Sequence, residues 1–268
     1  MSGSSGGQTT LEIAVEMTYE VQARTEMLLQ IEAVQGPFQK PSNGALELSG
    51  ATNIVHGPAE AGIGRRTRCV VEKELSCTYR TRVDINRPRH DLHDLPHTGL
   101  TALPNETLRY LMPSRYCAPA DFAPTAEDLF GDASGGKFIK AVQEWVSDNF
   151  AYAPGSSTSD TTASDTFLHR QGICRDYAHV VIALARARGI PARFVACYAP
   201  DVTPQDFHAV AEVWLGDGWH LIDATDMSVP ENTVRIGVGM DAAEVAFLTV
   251  FGAASLVSQT VDARRLRK

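Results

Sequence analysis

An α+β fold is predicted by three features of the chain: two-residue apolar alternation through the first third, a change to helical spacing near Gly136, and short alternating runs after Pro191. Together they imply a β-rich, sandwich-like unit over residues 1–120. A second domain over 121–268, in which a helix packs on an antiparallel sheet, is expected to follow.

The Ser/Gly-rich start, residues 1–10, has neither the basic region nor the apolar stretch of a secretory leader and reads as a disordered tail. Leu11, Ile13, Val15, Met17, Tyr19 and Val21 then recur at every second position, the pattern of a strand that covers a core with one face. Residues 27–34 form a second candidate strand. Leu75, Cys77, Tyr79, Thr81, Val83 and Ile85 form a third. The Gly/Pro-bearing stretches 36–44 and 57–64 read as turns between them. Residues 86–105, with three prolines and His90, His93 and His97, show no period and read as a connector. Asp91, His93, Asp94 and His97 offer metal-ligand chemistry, but their spacing matches no metal motif.

Phe138, Val142, Trp145, Val146 and Phe150 place one apolar stripe on a helix beginning near Gly136. Residues 153–163, rich in Ser and Thr around Pro154 and Gly155, read as a loop. A second helix runs over residues 174–188, buries Tyr177, Val180, Val181 and Leu184, and ends at Gly189 and Pro191. Arg186 and Arg188 suit the negative end of its dipole. Residues 192–198, 209–215 and 219–222 then alternate as strands. Asp217-Gly218 is a hairpin turn that sets Trp214 near Trp219.

With 24 basic and 32 acidic residues the formal charge is −8, which repels nucleic acid and anionic lipid. No nucleic-acid partner and no membrane association are expected, since no apolar run approaches the roughly 20 residues a bilayer span needs. Five scattered cysteines suggest neither a disulfide framework nor a Cys-x-x-Cys metal site, so Cys69, Cys77, Cys117 and Cys197 read as reduced core residues of a cytoplasmic protein.

Cys174 is different. It opens a helix, where unpaired N–H groups and the dipole stabilise a thiolate, and its own N–H can face an oxygen that gains charge when a carbonyl is attacked. His208 begins one strand and Asp223 ends the next, so the two can meet across a hairpin. That order supplies a nucleophile, a base and a carboxylate that fixes the base's tautomer. Taken one at a time, each is an ordinary structural residue: a small core cysteine, a satisfied histidine, a capping aspartate. Asp176 and His179, three apart on the helix, could pair, or Asp176 stabilises the helix's first turn, a supporting role rather than direct catalysis; His220 reads as an outer residue, and Asp241 with Glu244 as a helix cap.

The runs Gly172-Ile173-Cys174-Arg175-Asp176-Tyr177-Ala178-His179, Gly189-Ile190-Pro191-Ala192-Arg193, His208-Ala209-Val210-Ala211-Glu212-Val213 and Gly218-Trp219-His220-Leu221-Ile222-Asp223-Ala224-Thr225 resemble the core of the bacterial transglutaminase-like superfamily. Residues 110–117 and 235–242 resemble further segments of the same subgroup, so the likeness spans nearly the whole chain. It implies a papain-like core with catalytic Cys174, His208 and Asp223, preceded by an amino-terminal β domain. The implied activity is thiol-dependent hydrolysis of peptide or amide bonds in a peptide or protein substrate, with no cofactor. Transfer of the acyl group to an amine, as in a protein-glutamine transglutaminase, and an idle protein-binding scaffold are the alternatives. Val210 departs from the family pattern, where a Trp follows the His-Ala pair, and this could reshape the cleft wall.

Overall fold

The structure, a computed structural model, describes residues 8–266. In chain order it contains β1 (Thr9–Val21), β2 (Thr25–Leu29), β3 (Gln39–Pro58), β4 (Arg65–Ile85), α1 (Pro119–Phe130), α2 (Gly135–Asn149), β5 (Ala151–Tyr152), α3 (Ala163–His169), β6 (Gln171–Gly172), α4 (Cys174–Ala187), β7 (Ala192–Tyr198), β8 (His208–Leu215), β9 (Gly218–Ile222), β10 (Val234–Gly239), β11 (Leu248–Phe251) and β12 (Ala254–Arg265). Of the tail expected over residues 1–10, residues 1–7 lie outside the described part, and Thr9 and Thr10 already belong to β1.

β4 is the spine of the first sheet. It pairs with β1 and β2 along one side and with β3 along the other, and β12 and β11 add to β1 and β2. Leu11, Ile13, Val15 and Met17 of β1 meet Leu75, Cys77, Tyr79 and Val83 of β4 on one buried face, as their alternation requires. β3 corrects the reading of 36–44 as a turn, because from Gln39 onward the chain is strand. Its ladder with β4 slips between Ser42 and Ala45, Ser49 and Ala51, and Thr52 and Val55. Each slip reverses which side chains face the core, so no alternation survives in the sequence. At Gly50 the backbone φ is +81°, and a Cβ there would stand 2.1 Å from the Glu74 carbonyl oxygen, so only glycine fits.

The far end of the chain rejoins the β-rich part. β11 and β12 return to the first sheet, with Leu11 opposite Arg265 and Leu29 opposite Leu248. Residues 248–265 therefore belong structurally with the β-rich part.

The second sheet has the antiparallel order β10-β7-β8-β9, with Trp214 opposite Trp219 across the hairpin and their rings 5.5 Å apart. α4 lies on it, surrounded by α1, α2 and α3. From Asp176 to Arg186 every residue of α4 is buried, so this helix is the centre of the domain rather than a one-faced surface helix. Arg186 does more than favour the dipole: its guanidinium donates to the carbonyls of Ala192, Met112 and Met240 and to Ser114 Oγ. The sheet's other face holds a smaller cluster of Val195, Cys197, Val210, Leu221 and Val238, against which Ile63 packs. Val210 is thus a packing residue beneath the sheet.

The parts are bound by buried polar contacts. Gln39 receives the Arg235 N–H on Oε1 at 2.9 Å and donates from Nε2 to the Arg235 carbonyl at 2.9 Å, while Tyr198 Oη donates to the Ile31 carbonyl at 2.6 Å. Glu212 bridges Arg193 and Arg235 within the second sheet. Among the described residues no helix is long and apolar enough to cross a membrane.

Candidate active site

Cys174 is the first residue of α4, and three contacts fix it there. Asp176, fully buried, accepts the Ile173 N–H on Oδ2 at 2.9 Å, which ties off the turn before the nucleophile. Its Oδ1 takes Arg175 Nη2 at 2.9 Å, and the same guanidinium nitrogen donates to the Thr158 carbonyl at 2.7 Å. Asp176 and Ile173 can approach only because residue 172 is glycine: a Cβ there would lie 2.7 Å from Asp176 Cβ. The Cys174 N–H belongs to the first turn, whose donors have no carbonyl within the helix. Cys174 is 9% exposed, whereas the other four cysteines are 0–3% exposed.

His208 and Asp223 meet as their strands imply. The β8–β9 ladder ends with Ala211 opposite Ile222, so Asp223 falls one step beyond it, diagonal to His208. His208 Nε2 and Asp223 Oδ2 are 2.7 Å apart, with both side chains buried. The remaining ring nitrogen, Nδ1, has no hydrogen bond of ordinary geometry, and the Cys174 side chain is the other group that acts on the ring.

The electrostatics favour an imidazolium. Burial opposes a charge on His208, but the bond to Asp223 and the Cys174 side chain outweigh it, and the ring is pushed up to about 10. Burial likewise opposes a charge on Asp223, yet the bonds from His208, Ser228 and Thr225 hold its carboxyl below the usual range. Ser228 Oγ donates to Oδ2 at 2.7 Å, while the Thr225 N–H and Oγ1 donate to Oδ1 at 2.9 and 2.7 Å. The Asp223 carbonyl accepts Gln143 Nε2 at 2.8 Å, which joins α2 to the site.

Of these supporting residues, Thr225 was readable as the second residue after an aspartate that closes its own turn. Ser228 and Gln143 carry no local signal. Tyr152 was also missed: the parallel β5–β6 ladder sets it opposite Gly172, two residues before Cys174.

The other candidates are structural. His179 is fully buried and driven down to about 3 by that burial. It accepts the Ala242 N–H on Nε2 at 3.2 Å and stacks on Tyr116 at 4.9 Å. His220 Nε2 lies 3.3 Å from the Leu215 carbonyl. Asp241 accepts the Tyr116 N–H on Oδ2 and the Ala243 N–H on Oδ1, and Glu244 takes the Met240 N–H, but the expected helix after Asp241 is only a turn. Asp91 accepts the His93 N–H, and among the described residues no cluster of His, Cys, Asp or Glu could hold a metal ion.

Comparison with known proteins gives a consistent picture. The family model described as the transglutaminase-like superfamily matches residues 125–224. A crystal structure named a "Putative Cysteine Protease" from Cytophaga hutchinsonii superposes with a TM-score of 0.93 at 30% identity, covering 98% of this chain and 93% of that one. An uncharacterized protein of Mycobacterium leprae is 27% identical over 118 residues, 41% of this chain and 42% of its own length. A protein-glutamine gamma-glutamyltransferase of Pseudomonas aeruginosa is 33% identical over 115 residues, 38% of this chain but 17% of its own. The matched segment therefore spans less than half of each of these two curated relatives.

Proposed function

Because the chain belongs to the transglutaminase-like superfamily, we propose that it is a thiol enzyme that hydrolyses peptide or amide bonds through Cys174, His208 and Asp223. The observation that carries this reading is the buried 2.7 Å contact between His208 Nε2 and Asp223, which leaves Nδ1 as the ring nitrogen available to Cys174. The thiolate of Cys174 adds to the carbonyl carbon, and the oxygen takes the negative charge beside the Cys174 N–H. As the tetrahedral species collapses, the His208 imidazolium passes its proton to the departing amine. A thioester remains on Cys174. Water, deprotonated by the now neutral His208, releases the acid.

This route runs without a metal or organic cofactor. Hydrolysis is favoured over transfer by the end-to-end likeness to the Cytophaga protein. The Pseudomonas relative supports a second acceptor, a primary amine in place of water, which would give a transglutaminase.

Iodoacetamide labelling read by mass tests the nucleophile. Cys174 is expected to react at neutral pH well ahead of Cys77 and Cys117, which burial pushes up to about 12, and His208→Ala is expected to slow it sharply. Uniform labelling of the accessible cysteines would favour an idle scaffold. A peptide library incubated with and without a primary amine then separates the acceptors, since hydrolysis adds 18 Da across the cleaved bond while transfer adds the amine.

A further inference from the structure

An oxygen that gains a full charge when Cys174 attacks needs more than the single N–H of the helix. The side chain placed to supply a second donor is Tyr152. The Ala151 N–H donates to the Arg170 carbonyl and the Ala153 N–H to the Gly172 carbonyl, each at 2.8 Å. The backbone of residue 152 is thereby locked opposite Gly172.

The Tyr152 ring packs against the edge of the core, 6.1 Å from the ring of Tyr177, which follows Cys174 by three residues on α4, and it is only half-buried. Both the backbone N–H and the thiol of Cys174 act on its hydroxyl. The ladder and these contacts set the phenol beside the first turn of α4, whose Cys174 N–H an attacked carbonyl oxygen would meet.

We propose that Tyr152 is a catalytic residue, the second oxyanion donor: its hydroxyl donates to the carbonyl oxygen of the substrate while the Cys174 N–H donates alongside it. This rests on the acyl-transfer reading of Cys174. In the step concerned the S–C bond forms, the carbonyl π pair moves to oxygen, and Tyr152 keeps its proton throughout. Burial and the neighbouring Cys174 raise the phenol above its ordinary value, so at neutral pH it holds the proton that it must donate. Its loss therefore penalises reactions that create an oxyanion more than those that do not.

That selectivity supplies the test. Acylation of Cys174 by p-nitrophenyl acetate, followed as the p-nitrophenolate burst and corrected with Cys174→Ala, builds an oxyanion; alkylation by iodoacetamide does not. In Tyr152→Phe the ratio of acylation to alkylation rates is expected to fall roughly 10²-fold. Both rates are read on folded variant isolated by size exclusion, because unfolded chain would be alkylated without the site's help in acylation. An unchanged ratio, or one that rises because a blocking hydroxyl has been removed, overturns the assignment. If the wild-type protein is alkylated at Cys174 but not acylated, the acyl-transfer reading itself has failed and the donor has no charge to serve.

Discussion

Asp223→Asn perturbs the site where its electrostatics are strongest. Four donors converge on the Asp223 carboxylate: His208 Nε2 and Ser228 Oγ at Oδ2, and the Thr225 N–H and Oγ1 at Oδ1. An amide cannot serve all four. If its oxygen stays beneath the two Thr225 donors, its NH2 group occupies the Oδ2 position and donates to His208 Nε2 instead of accepting from it. The ring proton is then confined to Nδ1, and the imidazolium loses its counter-charge. A hydrogen bond with an ionised partner contributes about 1.5–3 kcal/mol, and 1.36 kcal/mol is one pKa unit, so His208 should descend by roughly one to two units. In the wild type the ring is pushed up to about 10, burial opposing and Asp223 with Cys174 prevailing. The acid that protonates the leaving group is therefore present below that value and lost as pH rises through it. Measured as turnover against pH, the alkaline limb of the variant should move down by that interval, and the plateau rate should fall roughly 10- to 100-fold. A variant whose limb stays in place, whatever its rate, would refute the role given to Asp223.

Gly172→Ala sets a Cβ 2.7 Å from Asp176 Cβ and 2.9 Å from its Oδ2; a loss of about 1–3 kcal/mol is expected from overpacking, read as a lower Tm together with slower Cys174 alkylation. Glu212→Ala leaves Arg193 and Arg235 buried without their shared counter-charge and should cost about 3–5 kcal/mol in urea denaturation. Burial opposes the Glu212 charge, but the two guanidiniums hold its carboxyl below the usual value. Its contribution is therefore present above the unfolded carboxylate value and fades as pH falls through the folded one, so the difference between wild type and variant should narrow in acid.

The candidate site was legible because each of its three residues stands at the boundary of an element with a clear local pattern. α4 announces itself through Tyr177, Val180, Val181 and Leu184, and the β8–β9 hairpin through alternation around Asp217-Gly218. α1 was hidden by Pro124 within it, and α3 by its seven-residue length. β3 was hidden by its three register slips. The return of β12 to β1 pairs residues more than 230 positions apart, a relation no local window contains. The same reason conceals Tyr152, whose place opposite Gly172 depends on a parallel ladder of two residues, too short to leave a period in the sequence.

The most direct measurement is the mass of the trapped intermediate. Wild-type protein mixed with a peptide that it cleaves, quenched in acid within the first turnover, digested and sequenced by tandem mass spectrometry, should carry the acyl fragment on Cys174. Cys174→Ala should carry none and should not turn over. Cleavage that persists in that variant, or an acyl group found on another side chain, would contradict the account.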